Sequence, residues 1–383
     1  MSETNQNGSG LFNGGEDSAG YFAPGRINII GEHLDYNGGY VFPAAISLGI
    51  TGRIRYRDDR QVRLRSETYP GEVVADLDEA ISFDPARGWA NYPLGIIAFL
   101  LKSGRVLGRG MDISYSSTLP PGSGLSSSAA IEVLTAFMLT DAAKRSGGDL
   151  VALALLAQKT ENEFIGVRCG IMDQFAVALG KRHCAILLDS ESLRFEHVPL
   201  EAPGHRLIIL DTNTPRALSG SKYNERRSQC VAAYEAIRKK RKDLRSLSDA
   251  DPEDLGLIGD DTIRKRARHV ITENRRVLES VAALRRGDLR LFGRMLAESH
   301  RSLRDDYEVS GIELDAIVGA AQEAPGCIGA RMTGAGFGGC ALALVRVDRA
   351  EQFKDEVGAR YRRATDRGAD FYECEIDDGV RRL

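Results

Sequence analysis

The sequence predicts a two-domain chain that mixes strands with helices. Three observations carry that prediction. A chain of 383 residues exceeds what one small core organises. Short apolar strands alternate with helical runs as far as about residue 200. Beyond it a long helical region, opening at Ser221-Lys-Tyr-Asn-Glu-Arg-Arg227 and running to about residue 322, is followed by two more strands. The predicted division is a leader over residues 1–20, a first domain over 21–200 and a second over 201–383.

Composition narrows the class of partner. Lys+Arg number 51 against Asp+Glu 54, a net charge of −3 that exerts no general pull on nucleic acid or an anionic membrane. No apolar run is long enough to span a bilayer, and Met1–Ser9 lacks the hydrophobic segment of a signal peptide. A cytoplasmic location is expected, with neither membrane nor nucleic acid as partner. The six cysteines are scattered without C-x-x-C spacing, which argues against a zinc site or a disulfide scaffold.

Taken in order, the leader is rich in Gly, Ser and Asn and is expected to be disordered. Ile27, Ile29 and Ile30 then mark a buried strand, and the chain packs Glu32, His33, Asp35 and Tyr36 into a turn ended by Asn37-Gly38-Gly39. Polar groups beside a buried strand need partners for each donor and acceptor. A polyhydroxylated ligand would supply them; a solvated surface turn, with Arg26 and Asp35 paired in water, is the plainer alternative. The alternation of Ile54, Tyr56, Val62 and Leu64 reads as a hairpin of half-exposed strands.

Met111–Tyr115 is another strand, and it leads into Leu119-Pro-Pro-Gly-Ser-Gly-Leu-Ser-Ser-Ser-Ala-Ala-Ile131. Gly122 and Gly124 permit close backbone approach and positive φ, while Ser126, Ser127 and Ser128 offer hydroxyls and N-cap chemistry. Ile131, Leu134, Phe137 and Met138 follow at helical spacing, so the positive end of a helix faces the loop. An anion site fits this chemistry, and so does an ordinary serine-capped helix.

A helix is predicted from an Asp149 N-cap to Phe164, turning acidic at Glu161 and Glu163. Carboxylates there meet the unfavourable end of the dipole, which favours either a nearby cation at Glu161 or plain solvent exposure. Asp173, in Gly170-Ile-Met-Asp173, opens the next helix with Arg168 as its nearest counter-charge. Strands at Cys184–Leu188 and Arg206–Leu210 flank the predicted boundary. In the helical region that follows, Arg264, Lys265, Arg266 and Arg268 read as a solvated face among acids.

Gly334, Gly336 and Gly339 satisfy G-x-G-x-x-G, but Cys340–Val347 continues as a strand where a dinucleotide site needs a helix. A nicotinamide oxidoreductase is therefore the weakest reading. A helix over Arg349–Arg363 and a strand over Phe371–Ile376 end the chain.

The order of these segments resembles the GHMP kinase superfamily, and Gly25-Arg-Ile-Asn-Ile-Ile-Gly-Glu-His-Leu-Asp-Tyr36 looks like its galactokinase signature. The serine loop is similar to the superfamily's ATP loop, and Thr333–Gly339 to its third motif. The resemblance implies an α+β fold: an N-terminal ribosomal-S5-domain-2-like α/β domain with a left-handed crossover, contrary to the general rule, and a C-terminal ferredoxin-like domain. It implies a monomeric kinase that uses ATP and Mg²⁺ to phosphorylate galactose on its anomeric hydroxyl.

By position, the resemblance makes Arg26 and Asp173 catalytic. Glu32, His33, Leu34, Asp35 and Tyr223 would bind the sugar. Gly122, Ser123, Gly124, Leu125, Ser126, Ser127 and Ser128 would wrap the nucleotide phosphates, with Ser128 and Glu161 ligating the metal. Leu34 departs from the pattern, standing where these kinases usually carry Thr. Arginine suits a spread phosphoryl charge because its planar fork meets two oxygens, whereas an aspartate is a weak base that the relatively acidic anomeric hydroxyl can still engage. Neither a Walker loop nor an H-R-D loop occurs. A related hexose or N-acetylgalactosamine kinase, or an inactive sugar sensor, are the alternatives; the complete Ser126-Ser-Ser-Ala-Ala130 run speaks against the sensor.

Overall fold

Ile27, Ile29 and Ile30 are fully buried, and the strand that carries the first of them is the spine of the first half. The computed structural model describes residues 19–105, 107–140, 149–214 and 219–383. Strand β1 (Ala19–Asn28) leads to β2 (Tyr40–Val41), β3 (Pro43–Tyr56), β4 (Gln61–Ser66) and β5 (Glu72–Asp76). Helix α1 (Asn91–Lys102), β6 (Met111–Ser117), α2 (Ser127–Leu139), α3 (Leu150–Lys159) and α4 (Met172–Leu179) follow, then β7 (Cys184–Asp189) and β8 (Phe195–Pro199). The leader expected over residues 1–20 falls outside the described residues except for Ala19 and Gly20, which already belong to β1.

The expected hairpin over residues 50–65 does not form. Strand β6 runs between its two arms, antiparallel to β3 and parallel to β4, with Ile54, Ile113 and Leu64 in one cross-strand row. All three are buried rather than half-exposed, because α2 packs on the β1 and β3 side of this sheet and makes it a core face. The parallel β4–β6 pair requires a crossover, which α1 supplies. A register shift between Pro24 and Gly25 bends β1 and re-aims the residues after it.

The second half contains β9 (His205–Asp211), α5 (Ser219–Arg238), α6 (Asp261–Arg285), α7 (Leu289–Ser302), α8 (Ile312–Glu323), β10 (Cys327–Met332), β11 (Cys340–Arg346), α9 (Ala350–Thr365) and β12 (Asp370–Glu373). Its antiparallel sheet has the order β10-β11-β9-β12. Numbered within the sheet, that order is 2-3-1-4, the ferredoxin-like arrangement, with four helices inserted in the first crossover. The final strand β13 (Arg381–Arg382) returns to pair with β1 on the first sheet.

One helical residue sits differently from its expected place. Arg266 is 2% exposed instead of lying on a solvated face, because α5 and the turn after α7 close over it: Nε donates to Gln229 of α5 and Nη2 to Glu308 at the end of that turn. Among the described residues, no helix is long and apolar enough to cross a membrane.

Candidate active site

The bulge in β1 turns Arg26 away from its own sheet and toward the serine loop, where its backbone N–H donates to the Leu125 carbonyl at 3.1 Å. Its guanidinium meets Asp173 as a two-pronged fork: Nε donates to Oδ1 and Nη2 to Oδ2, each at 2.7 Å. Nη1 donates to the Gly124 carbonyl at 2.9 Å. Arg26, and not Arg168, is thus the partner of Asp173; the exposed Arg168 gives its backbone carbonyl to Arg227. A two-pronged fork of this kind fixes the orientation of both side chains.

Ser126 also departs from its expected use. It occupies the N-cap of α2 with left-handed backbone (φ 64°, ψ 44°), and its side chain does not cap the helix. Its hydroxyl donates instead to Asp173 Oδ2 at 2.6 Å. The first turn of α2 therefore has no side-chain cap, which leaves its N–H groups available to an anion. Gly122 and Gly124, at φ 73° and 76°, take the positive φ that folds the loop back over this end.

Across the cleft stands the acidic turn. Glu32 is 1% exposed, accepting from Asn28 Nδ2 at 2.8 Å and from the Gly334 N–H at 2.8 Å, and pairing with Arg331. Burial pushes its carboxyl up to about 7 against the pull of Arg331. Asp35 accepts from the Met172 N–H at 3.2 Å, and burial plus the nearby Asp173 charge push it up to about 6. Gly170 presses against it so closely that a Cβ there would lie 1.9 Å from Asp35 Oδ2. His33, in left-handed backbone with φ 65°, donates or accepts through Nδ1 to Tyr36 at 2.8 Å, while its buried Nε2 has no protein partner.

These side chains line one cleft of about 340 Å³: Arg26, Glu32, His33, Asp35, Asp173 and Tyr223, together with Gly122, Gly124, Ser126, Ser127, Ser128 and Glu161. Three of the sequence-predicted residues lie elsewhere. Leu34 is fully buried in the apolar core, since its side chain points opposite to its polar neighbours. Ser123 and Leu125 also turn inward, Leu125 contributing its carbonyl to Arg26 rather than a side chain to the cleft.

Glu161 is not solvent-exposed. After α3 the chain makes a π-helical turn over Thr160–Ile165, which leaves Glu161 only 8% exposed, with Oε2 accepting from Gln174 Nε2 at 2.7 Å. Burial and the Asp173 charge push it up to about 7, opposed by a hydrogen bond from Ser128. Behind it Glu132 on α2 is fully buried with neither carboxylate oxygen partnered, and burial first, then Glu161, pushes its carboxyl well above the usual range. The sequence hint for Glu132 was an acid inside an otherwise apolar run of α2. For Arg331, which ties Glu32 to the second half by donating to the Asn28 and Ile29 carbonyls at 3.1 Å, no local signal existed.

A second, larger hollow of about 660 Å³ adjoins the first, sharing Tyr92, Gly122, Ser127 and Ser128 with it. Its wall carries Tyr69 and Trp89, stacked 6.5 Å apart at 16°, and Phe83. A flat aromatic slot beside a helix N-terminus suits a planar base attached to a phosphate chain.

Comparison with known proteins agrees with this geometry. The galactokinase galactose-binding signature matches residues 11–56, the GHMP kinase N-terminal domain residues 91–181 and the GHMP kinase C-terminal domain residues 280–363. The galactokinase of Enterococcus faecalis is 47% identical over 97% of this chain and 96% of its own, and that of Clostridium tetani 47% over 94% and 92%. The structure of Lactococcus lactis galactokinase complexed with galactose superimposes with a TM-score of 0.91 at 44% identity, covering 96% of each chain. Methanococcus jannaschii mevalonate kinase shares the fold alone, with a TM-score of 0.67 at 18% identity over 94% of this chain and 98% of its own. With two near-full-length relatives of this kind and a cleft built from the residues of the signature, the chain belongs to the galactokinase family of GHMP kinases.

Proposed function

We propose that the chain transfers the terminal phosphoryl group of ATP to the anomeric hydroxyl of galactose, releasing galactose 1-phosphate and ADP, with Arg26 and Asp173 at the reacting centre. The observation that carries this reading is the Arg26–Asp173 fork standing between the serine loop and the acidic turn. Phosphoryl transfer runs through a loose transition state, so positioning and charge neutralisation supply most of the catalysis. Three of the five guanidinium N–H donors of Arg26 are engaged by Asp173 and Gly124, which leaves two for phosphoryl oxygens. Asp173, oriented by that fork and by the Ser126 hydroxyl, accepts the proton of the attacking hydroxyl. Asp35, Glu32, His33 and Tyr223 hold the remaining sugar hydroxyls. The Trp89 and Tyr69 slot takes the adenine.

Magnesium belongs to the same reading. Ser128 and Glu161 offer hard oxygens on the phosphate side of the cleft, and no group of three or more metal-binding side chains stands together among the described residues. That sparse donor set fits magnesium, which keeps waters and leans on substrate phosphates. Bound there, the ion would neutralise charge on the transferring phosphates. A cytoplasmic, monomeric enzyme is part of the proposal; the six free cysteines support the first of these, since they suit a reducing compartment.

A coupled assay with ATP, Mg²⁺ and galactose tests the reading. Turnover with galactose is the expected result. Turnover with N-acetylgalactosamine or another hexose alone would move the chain to a neighbouring specificity, and none with any sugar would reject a kinase.

A further inference from the structure

His33 ends a chain of four groups, three buried and Tyr36 half-buried, that crosses from one half of the molecule to the other. Its Nδ1 lies 2.8 Å from Tyr36 Oη, Tyr36 Oη lies 2.8 Å from Tyr307 Oη, and Tyr307 Oη lies 3.0 Å from Cys230 Sγ. Tyr307 closes the π-helical turn after α7 and sits 271 residues from Tyr36 in sequence; neither phenol lines the cleft. The other end of the chain is open, since His33 Nε2 is buried at the cleft wall and has no protein partner.

Such a chain can point in two directions, and the two leave opposite groups facing the cleft. In one, Cys230 donates to Tyr307, Tyr307 to Tyr36 and Tyr36 to His33 Nδ1, so Nε2 carries the imidazole proton. In the other each bond is reversed, and Nε2 presents a lone pair. The ring has a single proton to place, because burial holds its pKa down to about 3. The strength of the acceptors selects the first direction. That direction matches the phenolic donors with a phenol oxygen and an imidazole nitrogen, whereas the reverse spends one of them on thiol sulfur, a weak acceptor.

We infer that Tyr36 and Tyr307 are positioning residues that lock His33 as the Nε2–H tautomer, so that it serves as a hydrogen-bond donor to one oxygen of the sugar. This rests on the sugar-site reading above. The lock also ties sugar recognition to the second half of the molecule. Tyr307 is wedged between the rings of His33 and His269, each 4.6 Å away, so its position follows the helical half and its hydroxyl reports that position to His33.

Nitrogen-15 NMR of histidine-labelled protein reads the tautomer directly. Of the six histidines, His33 is assigned by the signal lost in His33→Asn. The inference expects Nε2–H with unprotonated Nδ1, unchanged from pH 5 to 8; an Nδ1–H tautomer or an imidazolium in that range overturns it. Kinetics supply a second reading through Tyr36→Phe, which keeps the ring and removes the link. The galactose KM is expected to rise roughly tenfold, the loss of about one hydrogen bond, while kcat and the ATP KM stay within about twofold. Tyr307→Phe is expected to move the galactose KM in the same direction by less. A wild-type galactose KM in Tyr36→Phe overturns the inference. Among deoxygalactoses, one analogue should give the same KM with both proteins, since it lacks the oxygen that His33 addresses; equal sensitivity of all of them to Tyr36→Phe overturns the assignment. Failure of the wild type to phosphorylate any sugar would strike the proposed function instead, and the NMR result would stand apart from it.

Discussion

Gly170→Ala displaces one side chain of the sugar turn, Asp35, without changing the chemistry of any side chain assigned to a ligand. A Cβ at this position would lie 1.9 Å from Asp35 Oδ2, 2.1 Å from its Cγ and 2.6 Å from Oδ1. Real Cβ atoms essentially never approach within 3.0 Å, so the carboxylate or the backbone must yield by about 1.1 Å. Asp35 is the softer of the two, being held on this side by one bond from the Met172 N–H at 3.2 Å. A displacement of that size removes both this bond and any aligned contact with a sugar hydroxyl. A hydrogen bond to a charged group contributes about 1.5–3 kcal/mol, so kcat/KM for galactose should fall about 10- to 150-fold. The serine loop is not involved, and the ATP KM should hold. On an Asp35→Ala background the carboxylate is gone and the added methyl has room, so Gly170→Ala should cost little more there, a strongly non-additive cycle. Steady-state kinetics of the four proteins decide the matter. A single variant with wild-type kcat/KM, or an equal loss on both backgrounds, would refute the reasoning.

Three further expectations follow from the same site. Arg26→Lys keeps the charge but loses the fork, and turnover should fall on the order of 10³-fold with little change in ATP affinity; wild-type turnover would reassign Arg26 to structure. Burial pushes the Asp35 carboxyl up to about 6, and its ionised form, to which the proposed function assigns the sugar contact, is lost as pH falls through that value. The pH profile of kcat/KM for galactose should therefore decline by up to about tenfold per unit below about pH 6, and Asp35→Asn should flatten that limb. Trp89, the single tryptophan of the chain, lines the aromatic slot. Its fluorescence should change on titration with an ATP analogue, and Trp89→Ala should raise the ATP KM about 5- to 100-fold, the range of one lost base stack.

Much of this site was legible because its chemistry is written in short segments. The turn around Glu32 and Asp35, the serine loop and the Asp173 helix start each announce themselves locally, and Asp149 caps α3 as read, accepting from the Ala152 N–H at 2.9 Å. What failed to show was what depends on distant partners. Residues 50–65 alternate like a hairpin, yet β6 comes between the strands because its apolar row completes a core face that no local window contains. Ser126 looked like a helix cap, but Asp173, 47 residues on, is the stronger acceptor. For Glu161 the sequence left a nearby cation and plain solvent exposure both open, and it is the π-helical turn that carries the side chain inward. Arg331 carried no signal, since its role is to enter the first half and neutralise Glu32 from 299 residues away.

Asp173→Asn gives the most direct trial of the proposed mechanism, measured as single-turnover phosphoryl transfer alongside calorimetric binding of galactose and an ATP analogue. The amide keeps the shape of the side chain and removes the proton acceptor that Arg26 and Ser126 hold in place. Both ligands should bind within several-fold of wild type while transfer slows by on the order of 10³-fold. Transfer within tenfold of wild type, with both ligands bound, would contradict a reacting centre built on this carboxylate.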